Sequence, residues 1–367
     1  MKALTTKINK RNFGLDLFRA IAVLAVVFGH GCEFINVGIK TWFPVDGVDM
    51  FFVLSGFLIG TILLRTKVNN RKELFTQTAT FYKRRWFRTL PNYFLFLAIN
   101  IILVKTGVYD GILNINTLAY FAFLQNFTLP LDLFFWESWS LAVEEWFYLL
   151  FPILIFLSFL LIKKNKTYKS HYLIISLVLL IIPFILRVIY FNPNYIENDV
   201  DLFIRKIVVF RIDTIAYGLI GAYINKYYNI LFKKYSILFL IVGIIGIIGI
   251  RFFVFEPSSF FRQTISFSLQ SMFILFWIPA FYRLESVPIA LKRPVSFISL
   301  ISYSLYLVHL PILYIISKHN VLSNNHTLEF IVYLLVSVII SYFIYKFWEK
   351  PFTNLRNKQI KLLGLKF

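Results

Sequence analysis

The sequence predicts an all-α fold, a polytopic transmembrane bundle of about ten spans with both termini cytoplasmic, and three observations predict it. Hydrophobic residues make up 59% and aromatic residues 19% of the 367, and the mean hydropathy is +0.72, the composition of a chain that lies mostly in lipid. The apolar residues gather in ten stretches long enough to cross about 30 Å of hydrocarbon. Most of the 38 Lys and Arg fall on the side that holds both termini, whereas Asp46, Asp110, Asp132, Glu137, Glu197, Asp199, Asp201 and Glu256 collect on the other. Basic loops mark the cytoplasm, so parity and charge agree.

Span one, residues 13–35, carries Asp16, Arg19, His30 and Glu33 within an arc of roughly 100°. His30 follows Arg19 by eleven positions, which brings them to about 20° of one another, three turns apart. Such a stripe must face protein or water, because a charge at mid-bilayer costs about 2.5–3.5 kcal/mol. The span is too long and too polar for a cleaved signal peptide.

Span two, 48–65, starts at Asp49, and its Ser55 and Gly56 suit close helix contact. Residues 66–82 read as a polar cytoplasmic connection, leading through Lys83, Arg84, Arg85 and Arg88 into span three, 88–105. Leu118 to Leu129 is apolar but too short to cross, and reads as a re-entrant or interfacial segment. Span four, 139–162, carries Glu144 and Glu145 near its outer end, with Trp42, Trp136 and Trp139 as interface-belt residues.

Spans five (172–191) and six (207–225) carry Arg187, Arg211 and Asp213, and Glu144 or Glu145 are candidate partners for these arginines. Spans seven (236–254) and eight (264–282) are plainly apolar. Span nine, 296–317, holds Tyr306 and His309; span ten, 329–348, leads to a basic tail suited to the inner leaflet. His171, His319 and His326 read as solvated surface, and Cys32 as packing. A single cysteine excludes an internal disulfide, and no metal site is needed. The net charge of +20 is distributed as topology signals and lipid contacts, so membrane lipids rather than nucleic acid are the expected partners.

Depth then sorts the polar residues into two layers. His30, Glu144, Arg211, Asp213 and His309 fall in the outer half, and Arg19, Arg85 and Arg88 in an inner, strongly positive layer. Forked guanidinium groups suit a multiply phosphorylated donor approaching from the cytoplasm.

Seven stretches in this order complete the pattern: LDLFRAIAVLAVVFGH (15–30), GVDMFFVLSGFLIG (47–60), FYKRRWFRTLPNYF (81–94), WSLAVEEWFYLLFP (139–152), FRIDTIAYGLIGA (210–222), ISYSLYLVHLPI (301–312) and WEKPF (348–352). With them the chain resembles, along nearly its whole length, the acyltransferase 3 family of integral-membrane O-acyltransferases. The resemblance implies a cytoplasmic acyl-CoA donor, usually acetyl-CoA, as co-substrate with no permanently bound cofactor. It also implies an acceptor hydroxyl on a cell-surface or lipid-linked glycan at the outer face of the cytoplasmic membrane. Two family signatures carry over, Arg-ten residues-His onto Arg19 and His30, and Arg-x-x-Arg onto Arg85 and Arg88. Many relatives add an extracytoplasmic domain after the bundle; this chain is expected to be a single domain, with any such transferase a separate protein.

Acyl transfer from a thioester to a hydroxyl needs a base, and imidazole suits neutral pH, which nominates His30. A carboxylate at the same depth would orient it, with Glu144 first, Glu145 second and Asp49 as an outside candidate. The two glutamates differ by about 100° around their helix, so one faces the site. Arg211 and Tyr306 are candidates for polarising the thioester carbonyl, and His309 either supports the site or braces span nine. Arg85 and Arg88 also suit a topology anchor. The rival reading is a proton-coupled transporter or flippase of a glycan or lipid, with His30, Glu144 and Arg211 as a relay.

Overall fold

A computed structural model describes residues 11–35, 45–65, 70–131, 134–161, 167–253, 255–285, 287–319 and 325–362; Trp42 and Asp132 lie outside them. The described residues form helices joined by turns and loops, without a strand. In chain order the helices are α1 (Phe13–Ile35), α2 (Gly47–Arg65), α3 (Arg71–Lys105), α4 (Ser138–Leu161), α5 (Tyr168–Ile189), a short α6 (Glu197–Arg205), α7 (Val208–Tyr227), a short α8 (Asn229–Lys234), α9 (Ser236–Phe252), α10 (Phe261–Arg283), α11 (Ile289–His319), α12 (His326–Ile344) and α13 (Lys350–Leu362).

Eight helices are long and apolar enough to cross a membrane, and α6 with α7, bent by 70°, makes a ninth if the pair counts as one span. The expected seventh span is α9, which has 17 residues, about 26 Å at 1.5 Å per residue and just short of the hydrocarbon thickness. Each expected span overlaps a helix, and the largest difference lies at the start of α3. The polar connection at 66–82 is largely helix, because Asn70 caps α3 by accepting the Glu73 amide at 2.9 Å and favourable helix formers follow. α3 then runs 35 residues through Pro91 and carries its arginines on one rigid rod.

The segment expected to be interfacial contains a 3-10 turn, Ile115–Ala122. Ile115, Leu118 and Phe121 point outward while Tyr120 is buried, and its hydroxyl donates to the Phe134 carbonyl at 2.7 Å. Asn126 ties this loop to the start of α7, accepting the Val208 amide at 2.9 Å and donating to the Lys206 carbonyl at 2.6 Å. Irregular backbone at this depth is thus satisfied by protein.

The centre is the crossing of α2 and α7. A Cβ on Gly56 would lie 1.9 Å from the Ile215 carbonyl oxygen, and one on Gly218 would lie 2.1 Å from that of Val53, so the two backbones touch. Gly56→Val is expected to force the helices apart and to cost at least about 3 kcal/mol. A lower thermal midpoint and a smaller monodisperse peak in detergent would register it.

Two ion pairs brace the same region, and they correct the sequence reading. Arg211 pairs with Asp49, not with Glu144 or Glu145, and Arg187 pairs with Asp213 at 2.7 Å. All four are at most 1% exposed, and the charges are further satisfied by Gln270 donating to Asp49 at 2.6 Å and by Arg187 donating to Ser268 at 2.7 Å. A desolvated pair held this way persists because breaking one side strands the other. The Asp49–Arg211 pair thus joins α2 to α7.

Other expectations move as well. His171 is buried rather than solvated; it bonds Ser158 at 2.9 Å and stacks on Phe159. Trp139 is 5% exposed and lies under the Arg205 guanidinium at 5.1 Å, so it is core rather than lipid belt. Cys32 is buried and free.

Candidate active site

The inner layer forms a cavity of about 300 Å³. Arg19 reaches it from α1, Arg85 and Arg88 from one face of α3, Ser55 from α2, Glu144 from α4 and Tyr306 from α11. The (i, i+3) spacing of the α3 arginines puts them on one side. Arg85 lies 5.1 Å over the Tyr148 ring and 5.9 Å over that of Phe81, which fixes its guanidinium plane. Asp16 does not neutralise Arg19: it takes Arg11 in an ion pair and accepts from Ser296 at 3.1 Å and Ser299 at 2.9 Å. None of Arg19, Arg85 and Arg88 has an ion-pair partner among the described residues. Three guanidinium groups facing one cavity carboxylate, that of Glu144, leave an excess of positive charge suited to a polyanion.

Glu144 lies in this cavity rather than beside His30. Its carboxylate accepts from Ser55 at 2.6 Å, and the Tyr148 hydroxyl donates to Ser55 at 3.4 Å. Glu145 is buried and lines neither this cavity nor the outer one, so the expected angular separation leaves only Glu144 facing the site. Ser55, read as packing, thus also holds a site carboxylate.

The outer cavity is larger, about 1010 Å³, and His30, Glu33, Asp46, Glu137 and Arg205 line it. His30 finds a histidine where a carboxylate was expected: its Nδ1 lies 3.0 Å from Nε2 of His309, with the rings nearly parallel at 5°. The tautomers follow from the next bond. Nδ1 of His309 lies 2.5 Å from the Tyr306 carbonyl oxygen, which only accepts, so this nitrogen carries the proton. In neutral His309 that leaves Nε2 as acceptor, and Nδ1–H of His30 must donate to it. Nε2 of His30 is then the lone-pair nitrogen on a cavity-lining ring. A base whose second nitrogen is fixed by an acceptor has the geometry of catalytic imidazoles.

Val48 and Tyr306 line both cavities. The Tyr306 hydroxyl shares a 2.7 Å hydrogen bond with Ser140 and donates to the Glu137 carbonyl at 3.0 Å, and its ring meets Phe51 edge-on. Tyr306 therefore forms the wall between an arginine chamber and an imidazole chamber while its carbonyl fixes His309. The sequence placed His309 at the right depth but gave no sign that it faced His30; only the packing of α1 on α11 does so.

A family model described as an acyltransferase domain matches residues 12–346. The chain belongs to the acyltransferase 3 family. Among the relatives of this chain is O-acetyltransferase OatA of Staphylococcus aureus (strain NCTC 8325 / PS 47), 28% identical over 363 residues, covering 92% of this chain and 56% of the relative. A provisionally named O-acetyltransferase of Staphylococcus aureus (strain COL) is 26% identical over 390 residues, covering 98% of this chain and 60% of the relative. The chain thus spans about 60% of the length of the curated relatives it matches. No solved structure matches it significantly.

Proposed function

We propose that the chain is a membrane O-acetyltransferase that takes an acetyl group from cytoplasmic acetyl-CoA and passes it to a hydroxyl of a cell-surface or lipid-linked glycan at the outer face of the cytoplasmic membrane. The observation that carries this reading is the abutment of the two cavities at Tyr306, one lined by Arg19, Arg85 and Arg88 and the other by His30, which bonds His309 behind it. The names of the relatives support the acetyl group and the ester product.

In this reading Arg19, Arg85 and Arg88 hold the nucleotide phosphates, and the extended thioester arm passes Tyr306 into the outer cavity. His30 Nε2 takes the proton of the acceptor hydroxyl as its oxygen attacks the thioester carbonyl. The carbon–sulfur bond breaks, and the imidazolium returns the proton to the departing thiolate, giving an ester and free CoA thiol. His309 accepts from Nδ1–H throughout and stabilises the transient charge, as the carboxylate does in a hydrolase triad.

Protein in detergent micelles, given acetyl-labelled acetyl-CoA and envelope glycan stripped of its esters, is expected to form labelled, alkali-labile glycan ester without any sealed membrane. A transporter or flippase would form none. Absence of labelled ester with a folded protein and saturating donor overturns the reading.

A further inference from the structure

The outer cavity contains one group that this mechanism leaves idle. Glu137, on the turn leading into α4, lines the cavity at 2% exposure, and neither of its carboxyl oxygens has a hydrogen-bond partner in any other described residue, its own amide being the only nearby donor. Native proteins rarely strand a buried carboxyl, because the desolvation is uncompensated. The cations along the rim are committed elsewhere: Arg205 to Asp46 and Asp201, and Lys206 to Asp201 at 2.5 Å. Burial pushes the Glu137 carboxyl up to about 8, so near neutral pH it holds its proton and offers both an O–H donor and a carbonyl acceptor.

Its position is also tied to the imidazole pair. The Glu137 carbonyl receives the Tyr306 hydroxyl, and the Tyr306 carbonyl receives His309, which contacts His30. One residue therefore sets the register between the unpaired carboxyl and the base. The cavity wall around Glu137 is aromatic, with Tyr109, Trp136 and Tyr306, which suits the apolar face of a sugar ring. A polyol presenting one hydroxyl to Nε2 of His30 has a second hydroxyl available for Glu137.

We infer that Glu137 forms a subsite for a neutral hydroxyl of the acceptor and thereby fixes which hydroxyl of the polyol reaches His30. This inference rests on the proposed acyl transfer to a glycan and adds an acceptor-orienting residue to it. Glu137 satisfies the bound hydroxyl as donor and acceptor at once, and the bound hydroxyl satisfies Glu137.

The test uses the full chain in detergent as wild type, Glu137→Gln and Glu137→Ala, with envelope glycan stripped of its esters by mild alkali. Glycan binding is read by calorimetry without donor, turnover with acetyl-CoA, and folding by thermal midpoint. Glu137→Ala is expected to weaken glycan binding about tenfold with the donor KM unchanged and the thermal midpoint equal or higher, since the stranded carboxyl is gone. Glu137→Gln keeps a donor and an acceptor and is expected to stay within about threefold of wild type. Unchanged glycan binding in Glu137→Ala overturns the inference. So does a lower midpoint with parallel loss of donor and glycan affinity, the mark of a structural carboxyl, and so does a glutamine variant as impaired as alanine. Binding is read without donor, so a wild type that binds glycan but transfers nothing would count against acyl transfer and leave the subsite measurable.

Discussion

His30→Ala is expected to leave a folded protein whose kcat is lower by about 10³-fold, with little change in either KM. The size follows from removing a general base, which contributes about 10²–10⁴ to a proton-transfer step. Folding should survive because His30 is only partly buried and makes one hydrogen bond, to His309, so truncation strands a single acceptor. His309→Ala separates the two histidines' roles. It leaves the base but frees its Nδ1, so that either tautomer forms and the imidazolium loses its stabiliser, and kcat should fall by about 10²-fold. Radiolabel transfer at saturating donor and glycan, on variants matched for thermal midpoint, measures both. Unchanged turnover in His30→Ala would remove this imidazole from the chemistry.

Arg85→Gln combined with Arg88→Gln is expected to raise the donor KM at least about 10²-fold while the glycan KM holds. Each charge-assisted contact to a phosphate contributes about 1.5–3 kcal/mol, and glutamine keeps the volume of the chain but not the charge. The outcome also decides between the two sequence readings of this pair. Arginines that serve only as topology anchors would leave donor affinity intact and instead lower the amount of correctly inserted protein. Structural support for a ligand role is that Arg85 is held over Tyr148 and that both side chains line a cavity with Arg19. Raising the salt concentration should weaken donor binding in the wild type more than in the double variant.

Much of the fold was legible because lipid imposes a simple length rule: every stretch marked on hydropathy contains a helix. The boundary of α3 was not legible, since a polar helix that leaves the membrane looks like a loop to any reading based on apolarity. Within the site, the eleven-residue spacing of Arg19 and His30 found one wall, and the arginine pair of α3 found another. Partner choice lay beyond reach. Glu144 shares the nominal depth of His30, but it sits in the inner cavity and bonds Ser55, because helix rotation and not depth decides which side chains meet. Asp49 and Arg211, each a site candidate by chemistry, spend their charges on one another. Glu137 carried no sequence signal beyond being acidic and external; the role inferred for it comes from the partners its carboxyl lacks among the other described residues.

The single aromatic ring of Tyr306 between the two chambers has a consequence for the cell that houses this protein. In the proposed reaction the donor arm passes this ring, which is held in place by hydrogen bonds to Ser140 and Glu137. A side-chain wall between the chambers means that, on the proposed path, acyl transfer needs no open pore, and decorating the exterior would not by itself drain the electrochemical gradient.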